Sequence, residues 1–320
     1  MSIAIFGAAG AIGRSVAAEL DVRKIPFRAV GRSTTRLSQA FGRLETPHEL
    51  VGADLTDLES ARRAARGAET IVYTVGVPYE HFELHPQMMR TALEAALAEG
   101  VRSLLLVSNV YAYAAGTGGL VDEAYPRTPP SRKGQFRKEQ EDLLLEAHAA
   151  GRIRGAVLHL PDFYGPDAEG SLAYQIFAAA LAEKIANVLA PIDTPHEFVY
   201  TPDVGPVILD LIAKDAAWGA HWNLAGPALI SVRDFATHVF RSAATKPRLL
   251  PANRTMLTAL GYFNPLMREL VEMSYLQSNP VNLDDSRLRA LLGQVAKTSY
   301  HDGIGYTVQC LRRRPLQAIA

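Results

Sequence analysis

The chain of 320 residues contains few of the features that mark secreted, metal-binding or nucleic-acid-binding proteins. Its one cysteine, Cys310, cannot form a disulfide within the chain, and no Cys-x-x-Cys or Cys/His cluster is present to hold zinc. Lys and Arg total 33 and Asp and Glu total 33, so there is no excess of positive charge for a nucleic acid to bind. We therefore predict no metal site and no nucleic-acid partner.

Long apolar segments are also missing from the sequence. No uncharged stretch reaches the ~18–20 apolar residues that a membrane-spanning helix needs. The first residues show no basic region followed by an apolar one, which is the pattern of a secretory signal. A single cysteine is typical of a reducing compartment. These absences predict a soluble, cytoplasmic protein with no membrane partner.

What the sequence does contain is a regular alternation of short apolar segments and longer helical ones. Strand-like segments include "SIAIF", "ETIVYTVG" and "RSLLLVS", which are apolar enough to be buried on both faces. The alternation predicts an α/β fold, a Rossmann-type doubly wound parallel sheet. The regular alternation changes after about residue 165, where proline becomes more frequent. We therefore predict a cofactor-binding domain over residues 1–165 and a smaller C-terminal α/β substrate lobe over residues 166–320.

Three glycines, Gly7, Gly10 and Gly13, directly follow the first predicted strand and open a helix. The first permits a tight turn, the second lets backbone N–H groups approach a pyrophosphate, and the third lets the helix pack closely on the strand. Backbone N–H groups at the start of this helix, including those of Ala11 and Ile12, would face the negative charge. This arrangement predicts the binding of a dinucleotide cofactor.

The end of the second strand indicates which dinucleotide is bound. An acidic residue there would bind the ribose hydroxyls of NAD, but the chain has Arg32 followed by Ser33. A guanidinium in this place would pair with a 2′-phosphate, so we favour NADP, with NAD as the alternative. Asp54 and Leu55 precede the next helix, where Asp54 is either a helix N-cap or an acceptor for the adenine amino group.

Taken together and in this order, these motifs resemble the extended, epimerase/dehydratase-like branch of the short-chain dehydrogenase/reductase superfamily. The resemblance also rests on "LLLVSNVYAY", "DFYGP" and "HEFVYTPDV" and covers nearly the whole chain. It implies a Ser–Tyr–Lys catalytic set, with Ser108 as the serine and Lys138 as the lysine that also holds the nicotinamide ribose. The tyrosine position, four residues before the lysine, holds Gly134, which has no proton to donate.

Other side chains at the carboxyl ends of the predicted strands are candidates for the missing proton donor or for substrate binding, because ligands bind at these ends in open α/β sheets. Tyr113 is the candidate proton donor beside Ser108 and Lys138. Val75 and Gly76 are further candidates for cofactor binding. The expected substrate contacts are Asn109, Tyr79, His81 and Tyr164.

Three functions are compatible with this reading of the sequence. The first is an NADP(H)-dependent oxidoreductase that reduces a small or medium carbonyl compound with a non-standard proton donor. The second is a non-enzymatic NADP(H)-binding redox sensor, which the lost tyrosine would suit. The third, a nucleotide-sugar epimerase or dehydratase, ranks lowest because few arginines lie between residue 162 and about residue 240 to bind a sugar diphosphate. The expected partner is a small-molecule substrate, and the expected state is a monomer or homodimer.

Overall fold

The structure, a computed structural model, describes residues 2–314. Its strands are β1 (Ile3–Phe6), β2 (Phe27–Gly31), β3 (His48–Gly52), β4 (Thr70–Tyr73), β5 (Ser103–Asn109), β6 (Leu120–Val121), β7 (Arg154–Leu160), β8 (Asp162–Tyr164), β9 (Ala186–Leu189), β10 (Pro195–His196), β11 (Phe198–Tyr200), β12 (His221–Asn223), β13 (Ile230–Ser231), β14 (Leu249–Ala252) and β15 (Asn282–Leu283). Its α-helices are α1 (Ala11–Val22), α2 (Thr34–Phe41), α3 (Leu58–Ala65), α4 (Leu84–Ala98), α5 (Arg132–Ala149), α6 (Leu172–Leu181), α7 (Thr201–Ile212), α8 (Val232–Ser242), α9 (Arg254–Gly261), α10 (Pro265–Met273), α11 (Tyr275–Ser278), α12 (Ser286–Leu292) and α13 (Tyr300–Arg312).

Seven of the strands form one parallel sheet in the order β12-β7-β5-β4-β1-β2-β3. Successive side chains of a strand point to opposite faces, so Ile3 and Ile5 enter one core while Ala4 and Phe6 enter the other. All four side chains are fully buried. The predicted Rossmann-type α/β fold is therefore confirmed.

Helices cover both faces of this sheet. On one face α1 packs against α7, and a side chain at Gly205 would lie 2.3 Å from the carbonyl oxygen of Ser15, so the two helices approach closely because Gly205 has none. The hydroxyl of Ser15 also accepts a hydrogen bond from the N–H of Gly205 at 2.8 Å. On the other face α3, α4 and α5 bury the second core.

A further core lies in the C-terminal half, where α6, α8 and α13 pack around the aromatic rings of Tyr164, Phe177 and Phe235. This half also contributes β12, the edge strand that pairs with β7 in the main sheet. The division of the chain at residue 165 therefore stays a prediction. None of the helices within residues 2–314 is long and apolar enough to cross a membrane.

Candidate functional site

The glycine turn between β1 and α1 is shaped by two close approaches of the backbone. Gly7 has a φ angle of +86°, and a Cβ atom there would lie 2.9 Å from the backbone of Thr74 and Val75. A Cβ atom at Gly13 would lie 2.6 Å from the backbone of Ala8. Neither position tolerates a side chain, so the turn stays tight and its surface is backbone.

The N-terminus of α1 is open to an anion. Gly10 is the N-cap residue and provides no side-chain hydrogen bond to the first turn of the helix. The side chain of Ile12 is buried in the core, so Ile12 and Ala11 can contribute through their backbone N–H groups. Unsatisfied N–H groups and the helix dipole favour a phosphate at such an end. These residues therefore fit the pyrophosphate of a dinucleotide.

Polar residues surround the place where an adenosine ribose would lie, beyond β2 and β3. The side chain of Arg32 is exposed and makes no hydrogen bond to any other residue between 2 and 314. Ser33 is the N-cap of α2 and accepts from the N–H of Arg36 at 3.3 Å. The carboxylate of Asp54 accepts from the N–H and hydroxyl of Thr56, and these bonds lower the pKa of Asp54.

Three further predicted cofactor residues lie at the carboxyl edge of the sheet or just beneath it. Leu55 is buried in the core beside α3 and can therefore shape the adenine side only as a wall. Val75 is half-buried and Gly76 is exposed, and both follow β4 next to the glycine turn. This is the edge at which a nicotinamide would reach the end of β5.

One face of α5 points toward the end of β5 and carries Lys133, Arg137 and Glu141, which are spaced four residues apart. The guanidinium of Arg137 donates to the hydroxyl of Ser108 at 2.9 Å and to the carbonyl of Val107 at 3.2 Å. Ser108 is itself buried and donates to the carboxylate of Glu141. Burial lowers the pKa of Arg137. The basic partner of Ser108 is therefore Arg137.

Lys138, the residue predicted for that role, lies on the outward face of α5. Its ammonium forms an ion pair with Asp142 at 2.5 Å, and 37% of its side chain is exposed. One residue of an α-helix corresponds to a rotation of about 100°, and this rotation separates Lys138 from the face that Arg137 occupies. The structure therefore does not bring Lys138 to Ser108, and the predicted Ser108–Lys138 pair is corrected to Ser108–Arg137.

Gly134 is explained by the loop that passes in front of α5. A Cβ atom at this position would lie 2.4 Å from the carbonyl oxygen of Tyr111 and 2.6 Å from the ring of Pro129. The helix can approach the loop only with glycine here. One turn before Arg137, the inward face of α5 carries Lys133. Its ammonium pairs with Glu269, and with Glu272 at 2.6 Å.

Two tyrosine hydroxyls meet where β4 and β5 end. The hydroxyls of Tyr79 and Tyr111 lie 2.7 Å apart, and the ring of Tyr79 stacks on Phe82. Asn109 supports this corner, because its side chain accepts from the N–H of Tyr111 and caps the turn Val110–Ala112. Burial raises the pKa of Tyr79 to about 12 and holds the pKa of Tyr111 well above its ordinary value. Both phenols are therefore neutral near pH 7.

These hydroxyls line a mostly apolar pocket. Its polar floor includes Asp162 and His196, whose side chains lie 2.9 Å apart, and Glu197, whose pKa burial raises to about 7. No lysine or arginine lines this pocket. The lining residues are Tyr79, Val110, Tyr111, Pro161, Asp162, Leu172, Leu189, His196, Glu197, Leu270, Met273, Leu276, Gln277 and Val281.

Tyr113, the predicted proton donor, points away from this pocket. It is fully buried, and its hydroxyl donates to Asn223 at 2.9 Å and lies 3.3 Å from Nδ1 of His159. The residue predicted as proton donor is thus directed into the core, at the end of the single turn of 3₁₀-helix over Val110–Ala112 that follows β5. Burial also raises the pKa of Tyr113.

The ring of His159 belongs to a buried polar cluster with Glu141, His221 and Arg127. Ligand atoms of Glu141, His159 and His221 lie within 4.8 Å of one another, a spacing that a metal ion could use. However, Arg127 donates to Glu141 and its Nη1 atom lies 3.4 Å and 3.5 Å from the two imidazoles. A guanidinium thus already supplies the positive charge in this cluster.

Two other predicted substrate contacts lie outside the pocket. His81 is on the surface, with 60% of its side chain exposed and its nearest charged partner, Glu83, 3.6 Å away. Tyr164 is fully buried in the aromatic core of the C-terminal half, against Tyr200 and Phe235. Of the four expected substrate residues, only Tyr79 lines the pocket itself, and Asn109 supports its wall.

Comparison with known proteins identifies the first half of the chain. Residues 7–147 match the family described as NAD(P)H-binding, and this segment is an NAD(P)H-binding domain. No curated protein sequence matches the chain.

The whole chain has the fold of known epimerases and dehydratases. It is similar to dTDP-glucose 4,6-dehydratase from Bacillus anthracis in complex with NAD (14% identity, 98% and 97% of the two chains, TM-score 0.81). It is also similar to UDP-glucose 4-epimerase from Thermus thermophilus in complex with NAD (18%, 98% and 99%, TM-score 0.79). The resemblance to the epimerase/dehydratase-like dehydrogenases is therefore confirmed for the cofactor domain and the fold.

The close approach at Gly134 predicts a loss of stability on adding one methyl group. In Gly134→Ala the new Cβ collides with the carbonyl of Tyr111, and overpacking of this kind costs about 1–3 kcal/mol. The control is Gly305→Ala within α13, where no atom lies within 4 Å and alanine should stabilise the helix by about 0.5–1 kcal/mol. Urea denaturation measures both. Equal free energies of unfolding for the two variants would contradict the assignment.

The buried carboxylate of Glu141 predicts a stability difference that depends on pH. The paired histidine and arginine outweigh burial and hold the pKa of Glu141 well below 4.5, so Glu141→Gln should lower the free energy of unfolding by about 3–5 kcal/mol at pH 7. A depressed pKa stabilises above the unfolded value, so the difference should shrink as the pH falls below 4.5.

The matched control for Glu141 is Glu139→Gln, which removes an exposed carboxylate of the same helix that pairs with Arg90. Exposed pairs contribute about 0–1 kcal/mol. Denaturation curves measured from neutral to acidic pH test both variants. A difference for Glu141→Gln that does not change with pH would mean that its ionisation is not what stabilises the fold.

Proposed function

We propose that the protein is an NADP(H)-dependent oxidoreductase that reduces a small or medium carbonyl compound, with the Tyr79–Tyr111 pair in place of the usual catalytic tyrosine. The observation that carries the proposal is the position of this pair: both tyrosines line an apolar pocket at the carboxyl ends of β4 and β5, next to the NAD(P)H-binding turn, and their hydroxyls contact each other. Ligands of open α/β sheets bind at this edge.

Reduction of a carbonyl compound requires two things of the protein besides the cofactor: a proton donor and a pocket that excludes water. The bound nicotinamide would supply a hydride to the carbonyl carbon. Tyr111 would donate its phenolic proton to the oxygen, and Tyr79 would pass a proton to Tyr111 through their 2.7 Å hydrogen bond. Both phenols are protonated at pH 7, so each holds a proton to transfer, and their raised pKa values make them weaker acids than an exposed tyrosine.

The choice of NADP is supported by Arg32, an exposed side chain just after β2 that makes no hydrogen bond to another residue between 2 and 314 and would be free to pair with a 2′-phosphate. Charge-assisted hydrogen bonds to phosphate are roughly twice as strong as neutral ones. No acidic side chain takes the corresponding place at the end of β2, although Asp54 lies close enough to sense the charge of Arg32.

A second candidate, the non-enzymatic redox sensor, is favoured by Ser108. Its hydroxyl is buried and donates to Glu141, so it is not free to bind a substrate carbonyl as the serine of the family would. The third candidate, a nucleotide-sugar epimerase or dehydratase, is disfavoured by a pocket that has two carboxylates and no lysine or arginine to bind a diphosphate.

The experiment that separates the two leading functions is NADPH fluorescence followed over time with a panel of aldehydes and ketones. An immediate change in emission reports binding, and a later decay reports hydride transfer. Decay with any carbonyl compound supports the oxidoreductase. Binding without decay across the panel supports the sensor, and no binding overturns both.

The proton donor is tested with a carbonyl compound that the panel identifies. Tyr111→Phe should reduce kcat by about 10²–10⁴-fold, the usual contribution of general acid catalysis. Tyr113→Phe removes a hydroxyl that faces Asn223 instead of the pocket, so it serves as the matched control. NADPH affinity should stay unchanged in both variants. A larger fall in kcat for Tyr113→Phe than for Tyr111→Phe would reverse the assignment.

Cofactor preference is tested by Arg32→Ala. Losing charge-assisted hydrogen bonds of about 1.5–3 kcal/mol should weaken NADPH binding by roughly ten- to a hundredfold and leave NADH binding nearly unchanged. Arg43→Ala, an exposed arginine just beyond the far end of α2, is the control. Fluorescence titration gives both dissociation constants. An equal loss of NADPH and NADH affinity would show that Arg32 does not read the 2′-phosphate.

A further inference from the structure

We propose that Lys133 is a positioning residue: its ion pairs with Glu269 and Glu272 hold α10 as the roof of the apolar pocket and control entry to it. The inference rests on the proposed function in one respect, namely that this pocket receives the substrate. It adds an ionic contact between Lys133 on the inward face of α5 and two residues of α10, Glu269 and Glu272. We call this contact the latch.

The apolar and the acidic side chains of α10 make different contacts. Leu270 and Met273 line the pocket, while Glu269 and Glu272 reach the ammonium of Lys133. The pair at Glu272 is 2.6 Å long, and a second oxygen of the same carboxylate accepts from the backbone N–H of Lys133 at 3.1 Å. The apolar side chains of α10 thus cover the pocket, and its acidic side chains hold the helix against Lys133 of α5.

The roof belongs to a helical hairpin with an unpacked tip. Helix α10 packs against α9 and against the turn Tyr79–His81. The residues that join the two helices include Tyr262 and Phe263, which are 81% and 91% exposed. A hairpin with so exposed a tip is held mainly by the contacts at its base, so those contacts decide whether it stays closed.

The latch is asymmetric in its exposure. The side chain of Lys133 is only 5% exposed, whereas those of Glu269 and Glu272 are 26% and 29% exposed. A buried ammonium without a partner is strongly unfavourable, so separation of α10 is opposed as long as Lys133 is charged. The carboxylates still reach solvent, so dissolved salt can compete for them and weaken the closed state.

The test is a cysteine placed beneath the roof. In the full chain with Cys310→Ser, the substitution Val110→Cys puts one thiol in the pocket wall at a position that is 8% exposed. The rate of its reaction with a small maleimide reports how often α10 opens, and needs neither substrate nor cofactor.

Removal of the latch charge by Lys133→Met should raise the labelling rate by about tenfold or more, since no ammonium then holds the two carboxylates. Lys133→Arg, which keeps the charge, should label nearly as slowly as the parent. The combination of Lys133→Glu, Glu269→Lys and Glu272→Lys restores opposite charges and should also slow labelling. Salt raised from about 0.05 M to about 1 M should speed labelling of the parent and not of Lys133→Met.

A second readout detects variants that are simply misfolded. Hydrogen exchange in Lys133→Met should increase over residues 254–278 and stay unchanged in α13. Unchanged labelling in Lys133→Met, or failure of both charge-preserving variants to restore slow labelling, would overturn the latch. Because the assay contains no substrate, a latch that behaves as expected in a protein without turnover would overturn the proposed oxidoreductase and leave the latch intact.

Discussion

The hydrogen bonds of the buried Glu141 carboxylate hold together the elements at the carboxyl edge of the sheet, where the proposed pocket lies. It accepts from Ser108 on β5, from His159 on β7 at 3.1 Å, and from Arg127 on the loop before α5. Charges removed from water are tolerated only when every one of them is paired. The carboxylate therefore fixes two strands, a helix and a loop relative to one another, and a change in any partner affects the rest.

This network explains why Ser108 and Tyr113 do not face the pocket. The hydroxyl of Ser108 accepts a hydrogen bond from Arg137 and donates one to Glu141, so it is used within the core. Tyr113 is held by Asn223, which anchors the loop after β5. With these two groups committed to the core, the polar groups left at the end of β5 are those on the turn that carries Tyr111. The proposed proton donor, Tyr111, thus lies on the turn after β5, whereas the tyrosine position implied by the resemblance, Gly134, lies on α5.

The sequence was sufficient for features that depend on local rules. The alternation of apolar segments predicted the sheet, and the spacing of Gly7, Gly10 and Gly13 predicted the cofactor turn, because both are set within a few residues. It was insufficient for the orientation of α5. Charged side chains occupy so many positions of "SRKGQFRKEQED" that the apolar pattern does not define a face. The pair Lys133 and Arg137 has the same four-residue spacing as Gly134 and Lys138, and only contact with Ser108 distinguishes them.

The proposed proton donor and the proposed latch meet at one place in the fold. Helix α10 packs on the turn that begins at Tyr79, and its acidic face is held by Lys133, so a movement of the roof removes packing from the Tyr79–Tyr111 pair. If both proposals hold, the closed roof would shield these phenols from water, and opening would let water return the proton that each turnover removes. The motion that exchanges substrate and product would then also reprotonate the Tyr79–Tyr111 pair. The ion pairs of Lys133 would in this way influence proton transfer at the end of β5.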